Sequence, residues 1–173
     1  VIISWINISD IISNIFISMS LLCINRRVFS ESFFYLNFIL FCFLNFRLPP
    51  FQYQIHKAFQ KDSLDITVKD RAFLVNLIQE MDSKAIIITH GTDTMMETAQ
   101  YIAEHLPTVF AQKIIILTGA MRPQRFNNSD AAINIGAAIA TANLLEKGIY
   151  ITMHGIVKPY DAMQRNLETG QFY

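Results

Sequence analysis

Residues 51–173 predict an α/β fold in which a doubly wound, mainly parallel sheet carries helices on both faces. Two short runs of apolar, mostly β-branched residues, 85–89 and 114–118, are typical of strands buried on both sides of a parallel sheet. Helical patterns alternate with such strands in the order strand, helix, strand, helix, strand. That order is characteristic of doubly wound sheets, Rossmann-like or flavodoxin-like, whose crossover connections are right-handed.

The first elements of this region follow from alternation and capping. Residues 51–59 alternate roughly in polarity and predict a strand that leads into the polar loop 60–65. Thr67 and Asp70 stand at the capping-box spacing and predict the start of a helix. The predicted buried face of that helix consists of Phe73, Leu74, Leu77, Ile78 and Met81.

The next two helices are bounded by capping residues and helix breakers. Thr94, with Glu97 three residues on, predicts the start of the second helix, and Pro107 predicts its end. Ser129 is the expected cap of a third, Ala-rich helix. That helix is predicted to extend to Gly148, as its terminal glycine, before the strand that follows.

The overall composition argues against several classes of protein. Lys and Arg together number 14, as do Asp and Glu, so no charge imbalance favours nucleic acid or an anionic membrane as the partner. The two cysteines, Cys23 and Cys42, lack metal-ligand spacing and predict neither a zinc site nor a disulfide framework. We therefore expect a cytoplasmic protein without a metal site.

A break in composition near residue 50 divides the chain into segments 1–50 and 51–173. Segment 1–50 lacks Gly, Ala, Thr, Lys, Gln and His. Its apolar runs, 11–24 and 33–46, have 14 residues each, and a spanning helix needs roughly 20. Three interpretations stay open: sequence not native to the domain, a membrane-associated hairpin, or a core segment.

Ligands of doubly wound sheets bind beyond the carboxyl ends of the strands. The segments that this rule selects are Thr89 to Thr94, Thr118 to Ser129, His154 to Tyr160 and, if the strand before it forms, loop 60–65.

The densest group of chemically useful residues in these segments is Thr92, Asp93 and Thr94. Gly91 allows a sharp turn after the strand, so that two hydroxyls and a carboxylate stand at a helix N-terminus, which favours anions. Such a group suits an amino-acid zwitterion, and a threonine hydroxyl can attack if a base is near. The alternative is that Asp93 or Thr94 only caps the helix.

Lys113 opens the second buried strand. A lysine in this position is ordinarily a solvated residue at the sheet boundary. If its amine instead lies beside Thr92 and Asp93, desolvation lowers its pKa and it can act as a base.

Four motifs carry a resemblance to a known family. They are HGTDTM at 90–95, ETA at 97–99, KIIILTGAMRP at 113–123 and SDAAINI at 129–135. In order and spacing they resemble the N-terminal domain of the asparaginase/glutaminase family, from about residue 51 to the C-terminus. The end at GQFY, with no second domain, resembles the small single-domain asparaginase-like proteins of bacteria.

The resemblance implies hydrolysis of the side-chain amide of L-asparagine, or of L-glutamine, to release ammonia without a cofactor. Thr92, Asp93 and Lys113 match a catalytic cluster in which the lysine activates the threonine and the aspartate also holds the substrate's α-ammonium. Ser63 matches the serine that binds the α-carboxylate, whereas Leu64 departs from a position that is often polar. Family enzymes usually form dimers or tetramers, so a homo-oligomer is expected.

One part of the family's active site is missing from the sequence. The family carries its primary nucleophile in a TGGTI-like turn after the first strand, but here Gly91 is the first glycine and Thr67 the first threonine. Residues 1–3 are β-branched and are a candidate replacement for the missing strand alone. We therefore expect little or no asparaginase activity from this chain, and activity from the intact gene product. The alternative function is a non-catalytic amino-acid-binding or regulatory module.

Overall fold

A computed structural model describes residues 2–5, 53–106, 112–124 and 126–173. The apolar runs 11–24 and 33–46, both cysteines and Pro107 lie outside the described residues. Within the described part, no helix combines the length and apolar character that crossing a bilayer requires. The elements are β1 (Ile2–Trp5), β2 (Tyr53–His56), a 3-10 turn (Ser63–Asp65), α1 (Val68–Glu80), β3 (Ala85–Thr89), α2 (Met95–His105), β4 (Ile114–Thr118), α3 (Ala131–Thr141), β5 (Gly148–Met153) and β6 (Ile156–Pro159).

The described strands form one sheet in the order β2-β1-β3-β4-β5-β6. Strands β3, β4 and β5 are mutually parallel, and β6 returns antiparallel to β5. Strand β1 is antiparallel to both of its neighbours, so β2 runs in the same direction as β3. The predicted mainly parallel α/β sheet is confirmed, with four of these six strands pointing the same way.

Strand β1, which includes two of the residues expected to replace the missing strand, lies in the interior of the sheet between β2 and β3. Its backbone pairs Ile2 with His56 on one side and with Ile88 on the other. Because β1 runs against both neighbours, the chain leaves Trp5 at the end of the sheet opposite the ends of β2 and β3. This interior position of the sheet is therefore filled by a strand that runs antiparallel to both of its neighbours.

Helices cover both faces of the sheet, as predicted. Helices α1 and α2 pack on one face against the alternate residues Ile86, Ile88, Ile115 and Leu117. Helix α3 packs through Ala138 on the opposite face, in a second cluster with Ile87 and Ile116. Each wholly buried isoleucine contributes about 1.5–3 kcal/mol through loss of apolar contact with water.

The predicted start of α1 is confirmed, but its predicted buried face is only partly right. Thr67 and Asp70 form a reciprocal capping box. Leu74, Ile78 and Met81 are buried, and Leu77 packs partly against the core. The prediction for Phe73 is wrong, since the side chain is 50% exposed. The buried stripe is rotated toward Arg71 and Val75 because α1 packs against α2 as well as against the sheet.

The cap of α2 and both ends of α3 also differ from the prediction. Thr94 is the N-cap residue of α2, but its side chain makes no capping bond, so the expected capping box with Glu97 is absent. Ser129 accepts from the Ala131 N–H at 3.1 Å, one residue before the N-cap. Helix α3 ends at Thr141, and Gly148 instead opens β5 with a φ of +155° that favours glycine.

Candidate functional site

The strands β2, β3, β4 and β5 end together at what we call the carboxyl end of the sheet. Two hydrogen bonds join their following loops there. The Thr94 hydroxyl donates to the Ser63 carbonyl at 2.7 Å, and the His90 N–H donates to the Thr118 carbonyl at 2.8 Å. The predicted grouping of loop 60–65 with the turn after β3 is therefore confirmed.

Gly119 allows the turns after β3 and β4 to approach each other closely. A Cβ atom at this position would collide with the His90 carbonyl oxygen and lie 2.9 Å from the Met95 methyl carbon. A residue without a side chain is thus required by space. This contact fixes the distance between the two loops.

Asn134 forms hydrogen bonds with three segments at the carboxyl end of the sheet. Its side chain is wholly buried and donates to the Gly119 carbonyl at 2.9 Å and to Asp130 at 2.8 Å. Its carbonyl oxygen accepts from the His154 N–H at 2.9 Å, where His154 adopts a φ of +55°. Asp130 in turn accepts from the backbone N–H groups of Met121 and Arg122. The loops after β4 and β5 are therefore held on the first turn of α3.

His90 anchors the turn that carries Thr92 and Asp93. Its Nδ1 lies 2.7 Å from the Gly91 carbonyl oxygen, which only accepts, so Nδ1 carries the proton. Nε2 then accepts from the Thr98 hydroxyl at 2.8 Å, and Thr98 accepts from Arg71 Nε at 3.0 Å. Burial, together with the nearby Arg71 charge, lowers the pKa of His90 to about 4, against the opposing effect of the Gly91 hydrogen bond. The ring is thus neutral, and both of its nitrogens are engaged in hydrogen bonds.

Thr92 and Asp93 lie side by side at the N-terminus of α2. The Thr92 side chain is buried, and no described residue forms a hydrogen bond with its hydroxyl. The Asp93 side chain is 39% exposed, and its Oδ1 accepts from Arg165 Nη2 at 3.0 Å. Because Thr94 bonds to Ser63 and Asp93 to Arg165, neither side chain caps α2.

Ser63 lies in the 3-10 turn next to this group, and its carbonyl oxygen is the one that Thr94 contacts. Its residue is wholly buried, and its hydroxyl has no hydrogen-bond partner among the described residues. The structure therefore brings Ser63 into the neighbourhood of Thr92 and Asp93, with its side chain covered from solvent.

The structure does not bring Lys113 to this group, and the expected convergence is wrong for this residue. Its amine donates to the carbonyl oxygens of Ile78, at 2.9 Å, and Met81, at the C-terminus of α1. Lys113 precedes β4, whereas Thr92 and Asp93 follow the parallel strand β3. Roughly 16 Å of strand separates the two ends of the sheet. Burial lowers the pKa of Lys113, and Asp82 partly opposes that shift.

The cation that contacts Asp93 is Arg165, which the sequence did not point to. Arg165 is 72 residues away along the chain and belongs to none of the segments selected by the strand rule. It forms an antiparallel bridge with Phe172, over whose ring its guanidinium carbon lies at 5.6 Å. Arg165 lies in a hairpin that spans residues 164–173, and this hairpin places it beside Asp93. The Arg165–Asp93 pair is therefore visible only in the tertiary fold.

A cavity of about 400 Å³ opens next to this hairpin. It is lined by Met121, His154, Thr169, Gln171 and Phe172. The lining residues come from the loops after β4 and β5 and from the hairpin itself. The cavity therefore adjoins the segment that holds Arg165.

The geometry can now be compared with known proteins. One subunit of the glutamyl-tRNA(Gln) amidotransferase of Methanococcus vannielii is 43% identical over 76 residues, which are 44% of this chain and 17% of that protein. Glutaminase-asparaginase of Acinetobacter glutaminasificans is 34% identical over 105 residues, 57% of this chain and 31% of the relative. The corresponding protein of Pseudomonas aeruginosa is 35% identical over 106 residues, 57% of this chain and 28% of the relative.

The chain spans less than a third of the length of each of these relatives. A family model described as "Asparaginase, N-terminal" matches residues 40–165, most of the chain. The match begins within the compositionally distinct segment 1–50 and ends at Arg165. The chain belongs to the asparaginase family, through a domain of the N-terminal type.

Proposed function

We propose that this chain is an amidohydrolase domain whose substrate is L-asparagine, or L-glutamine, bound as a zwitterion at the carboxyl end of the sheet. Thr92 and Asp93 contact the amino acid, with the Asp93 carboxylate accepting from the α-ammonium. Ser63, whose carbonyl oxygen accepts from the Thr94 hydroxyl, binds the α-carboxylate. The reaction of the complete enzyme adds water to the side-chain amide and releases ammonia and the corresponding acid.

The observation that carries this proposal is that the polar residues before α2 are not used to cap it. Asp93 and Thr94 have partners outside the helix, and no side chain caps the helix N-terminus. The N–H groups of the first turn are therefore left for a ligand, and such groups favour anions. Capping alone does not account for this arrangement.

We further propose that hydrolysis by this chain is weak or absent. A threonine hydroxyl needs a base to attack a carbonyl, and Lys113 lies at the other end of the sheet. His90 has both ring nitrogens in hydrogen bonds, and a guanidinium such as that of Arg165 has no acceptor atom for a proton. No TGGTI-like turn occurs in residues 1–173, and strand β1 ends, at Trp5, at the end of the sheet opposite the site.

The test is to measure ammonia release from L-asparagine and L-aspartate binding on the same protein. Binding by calorimetry without ammonia release is the expected result for this chain. Rapid ammonia release would refute the impairment, and failure to bind L-aspartate would refute the site. A gene product that carries a TGGT-type turn upstream of Phe51 is the positive control and should release ammonia.

A non-catalytic amino-acid-binding module is the second candidate function. The lack of a described base for Thr92 and the pairing of Asp93 with Arg165 favour it. An intact gene product that binds L-aspartate but releases no ammonia would favour this module over the amidohydrolase. The similarity to one component of a multi-subunit amidotransferase supports assembly with other proteins, as an alternative to the homo-oligomer that family membership suggests.

A further inference from the structure

We propose that the exposed face of helix α3 is an interface through which two copies of this chain pair, with their α3 helices antiparallel about a two-fold axis. The amino-acid site takes no part in this contact. Neither the inference nor its test therefore depends on the proposed function.

Helix α3 is uncharged on every side but is covered on one side only. No ionisable residue occurs from 131 to 145, yet Asn134 and Ala138 are the only buried residues of the helix. Ile133 is 67% exposed, and Leu144, in the turn that follows the helix, is 81% exposed. A Cβ atom added to Gly136 would meet nothing outside the helix within 4 Å. Since an apolar helix is normally buried on all sides, this face is expected to have a partner.

The exposed face carries a seam of the kind that pairs helices. Its members stand at spacings of four, three and four residues, the a/d pattern of a coiled coil, and are Ile133, Ala137, Ala140 and Leu144. The Leu145 N–H donates to the Thr141 carbonyl with helical spacing, so the helical path continues through Leu144. Bulky side chains lie at both ends of the seam and small ones at its centre, where two helices can approach closely.

The seam is symmetric about its own midpoint, and this symmetry indicates the direction of pairing. Ile133 and Leu144 are equally far from the point between residues 138 and 139, and so are Ala137 and Ala140. In an antiparallel pair centred on that point, Ile133 of each copy faces Leu144 of the other, and the alanines face one another. The same surface thus complements itself, as a two-fold interface requires.

The charges at the two ends of the seam also favour antiparallel pairing. Asp130, whose side chain is 26% exposed, precedes the helix, and the exposed residues Glu146 and Lys147 follow it. Asp130 and Lys147 share the midpoint of the seam, so each carboxylate faces the ammonium of the other copy. Glu146 then lies near the N-terminus of the other helix, where acidic groups are favourable. A parallel pair would instead bring like charges together.

The length of the seam sets the expected strength of the dimer. Residues 131–145 span about 22 Å along a helix, so the contact belongs with the small interfaces that bury less than about 1,200 Å² in total. Interfaces of that size hold weak complexes. We expect a dimer dissociation constant on the order of 10–100 μM.

The first experiment is sedimentation velocity of the full chain over a range of concentrations. Wild type should change from monomer to dimer between about 5 and 300 μM. Ile133→Glu and Leu144→Glu should each raise the dissociation constant about 10-fold or more, because each places a charge in the apolar contact. The matched control is Phe73→Glu, which changes a 50% exposed residue of α1 on the opposite face of the sheet and should keep the wild-type constant.

The second experiment tests the direction of pairing by disulfide cross-linking. Ile133→Cys and Leu144→Cys proteins are prepared with Cys23 and Cys42 replaced by serine, and are oxidised separately and as a mixture. Antiparallel pairing brings the two new thiols together only in the mixture, so only the mixture should give a cross-linked dimer. A dimer formed by Ile133→Cys alone would indicate parallel helices and overturn the pairing.

Two further outcomes would also overturn the proposal. A wild-type chain that stays monomeric at about 300 μM would mean that another part of the protein, or a different protein, covers α3. A dimer that both glutamate variants leave unchanged, while circular dichroism shows them folded, would place the interface on another surface. Because these measurements use no amino-acid ligand, either outcome leaves the proposed function standing.

Discussion

Acid should destabilise this fold through His90, whose buried ring is neutral. Burial lowers the pKa of His90 from 6.5 to about 4. Between these values the unfolded chain binds one more proton than the folded chain, so the free energy of unfolding decreases as the pH falls. The stabilisation is fully present above pH 6.5 and is lost progressively down to about pH 4.

The magnitude follows from the size of the shift. One pH unit corresponds to about 1.36 kcal/mol for each proton taken up, and the shift of His90 spans about 2.5 units. The loss between pH 7 and pH 4 is therefore about 3 kcal/mol, a substantial part of the roughly 5–15 kcal/mol that a typical domain has. Protonation would also force Nε2 to donate toward the Thr98 hydroxyl, which already accepts from Arg71.

The assay is urea unfolding followed by circular dichroism, at pH values from 7.5 to 4.5 and constant ionic strength. The comparison is wild type against His90→Gln, which removes the titrating group. His56 also has a pKa lowered by burial and contributes in the same direction to both proteins. The difference between the two pH profiles therefore reports His90 alone.

The expected result is a steeper loss of stability in wild type than in His90→Gln below pH 6.5. His105→Gln, which removes an exposed histidine from the last turn of α2, is the matched control and should keep the wild-type profile. Parallel profiles for wild type and His90→Gln would show that this imidazole is not held neutral by burial.

Two further predictions concern residues that position the site. Lys113→Met should destabilise the chain by about 1–2 kcal/mol, since it removes a charged donor from two carbonyls at the end of α1, and should leave L-aspartate affinity unchanged. Lys84→Met, at an exposed position, is its control in urea unfolding, and weaker L-aspartate binding by Lys113→Met would contradict the placement of this lysine. Gly119→Ala should cost about 1–3 kcal/mol or more because its methyl group meets the His90 carbonyl, whereas Gly136→Ala, in the open middle of α3, should stabilise by about 0.5–1 kcal/mol. Equal unfolding free energies for the two alanine variants would contradict the close approach at Gly119.

The regular elements could be predicted because their local sequence is consistent with the fold. The β-branched runs of β3 and β4 are buried as expected, and Thr67 with Asp70 caps α1. Phe73 was misassigned because helical periodicity identifies a stripe, while the neighbouring helix decides which way the stripe is rotated. Strand β1 was anticipated as a replacement, but its direction depends on pairing with distant strands, which local sequence does not encode.

The candidate site was predicted where its residues are close together in the sequence. Thr92 and Asp93 lie in one turn after β3, and the strand rule groups that turn with loop 60–65, which it contacts through Thr94 and Ser63. Lys113 was included through the family resemblance, although the same strand rule places it at the amino end of β4. Arg165 was missed because its contact with Asp93 depends on a hairpin that no motif marks.

The reversed direction of β1 decides where a missing catalytic turn could be restored by engineering. A threonine-containing turn inserted after Trp5 would emerge on the far side of the molecule from Thr92 and Asp93. The backbone of Ile2 lies opposite Ile88, two residues before the turn that begins at His90. A grafted nucleophile would therefore have to enter ahead of Ile2, or the whole strand would have to be rebuilt in the opposite orientation.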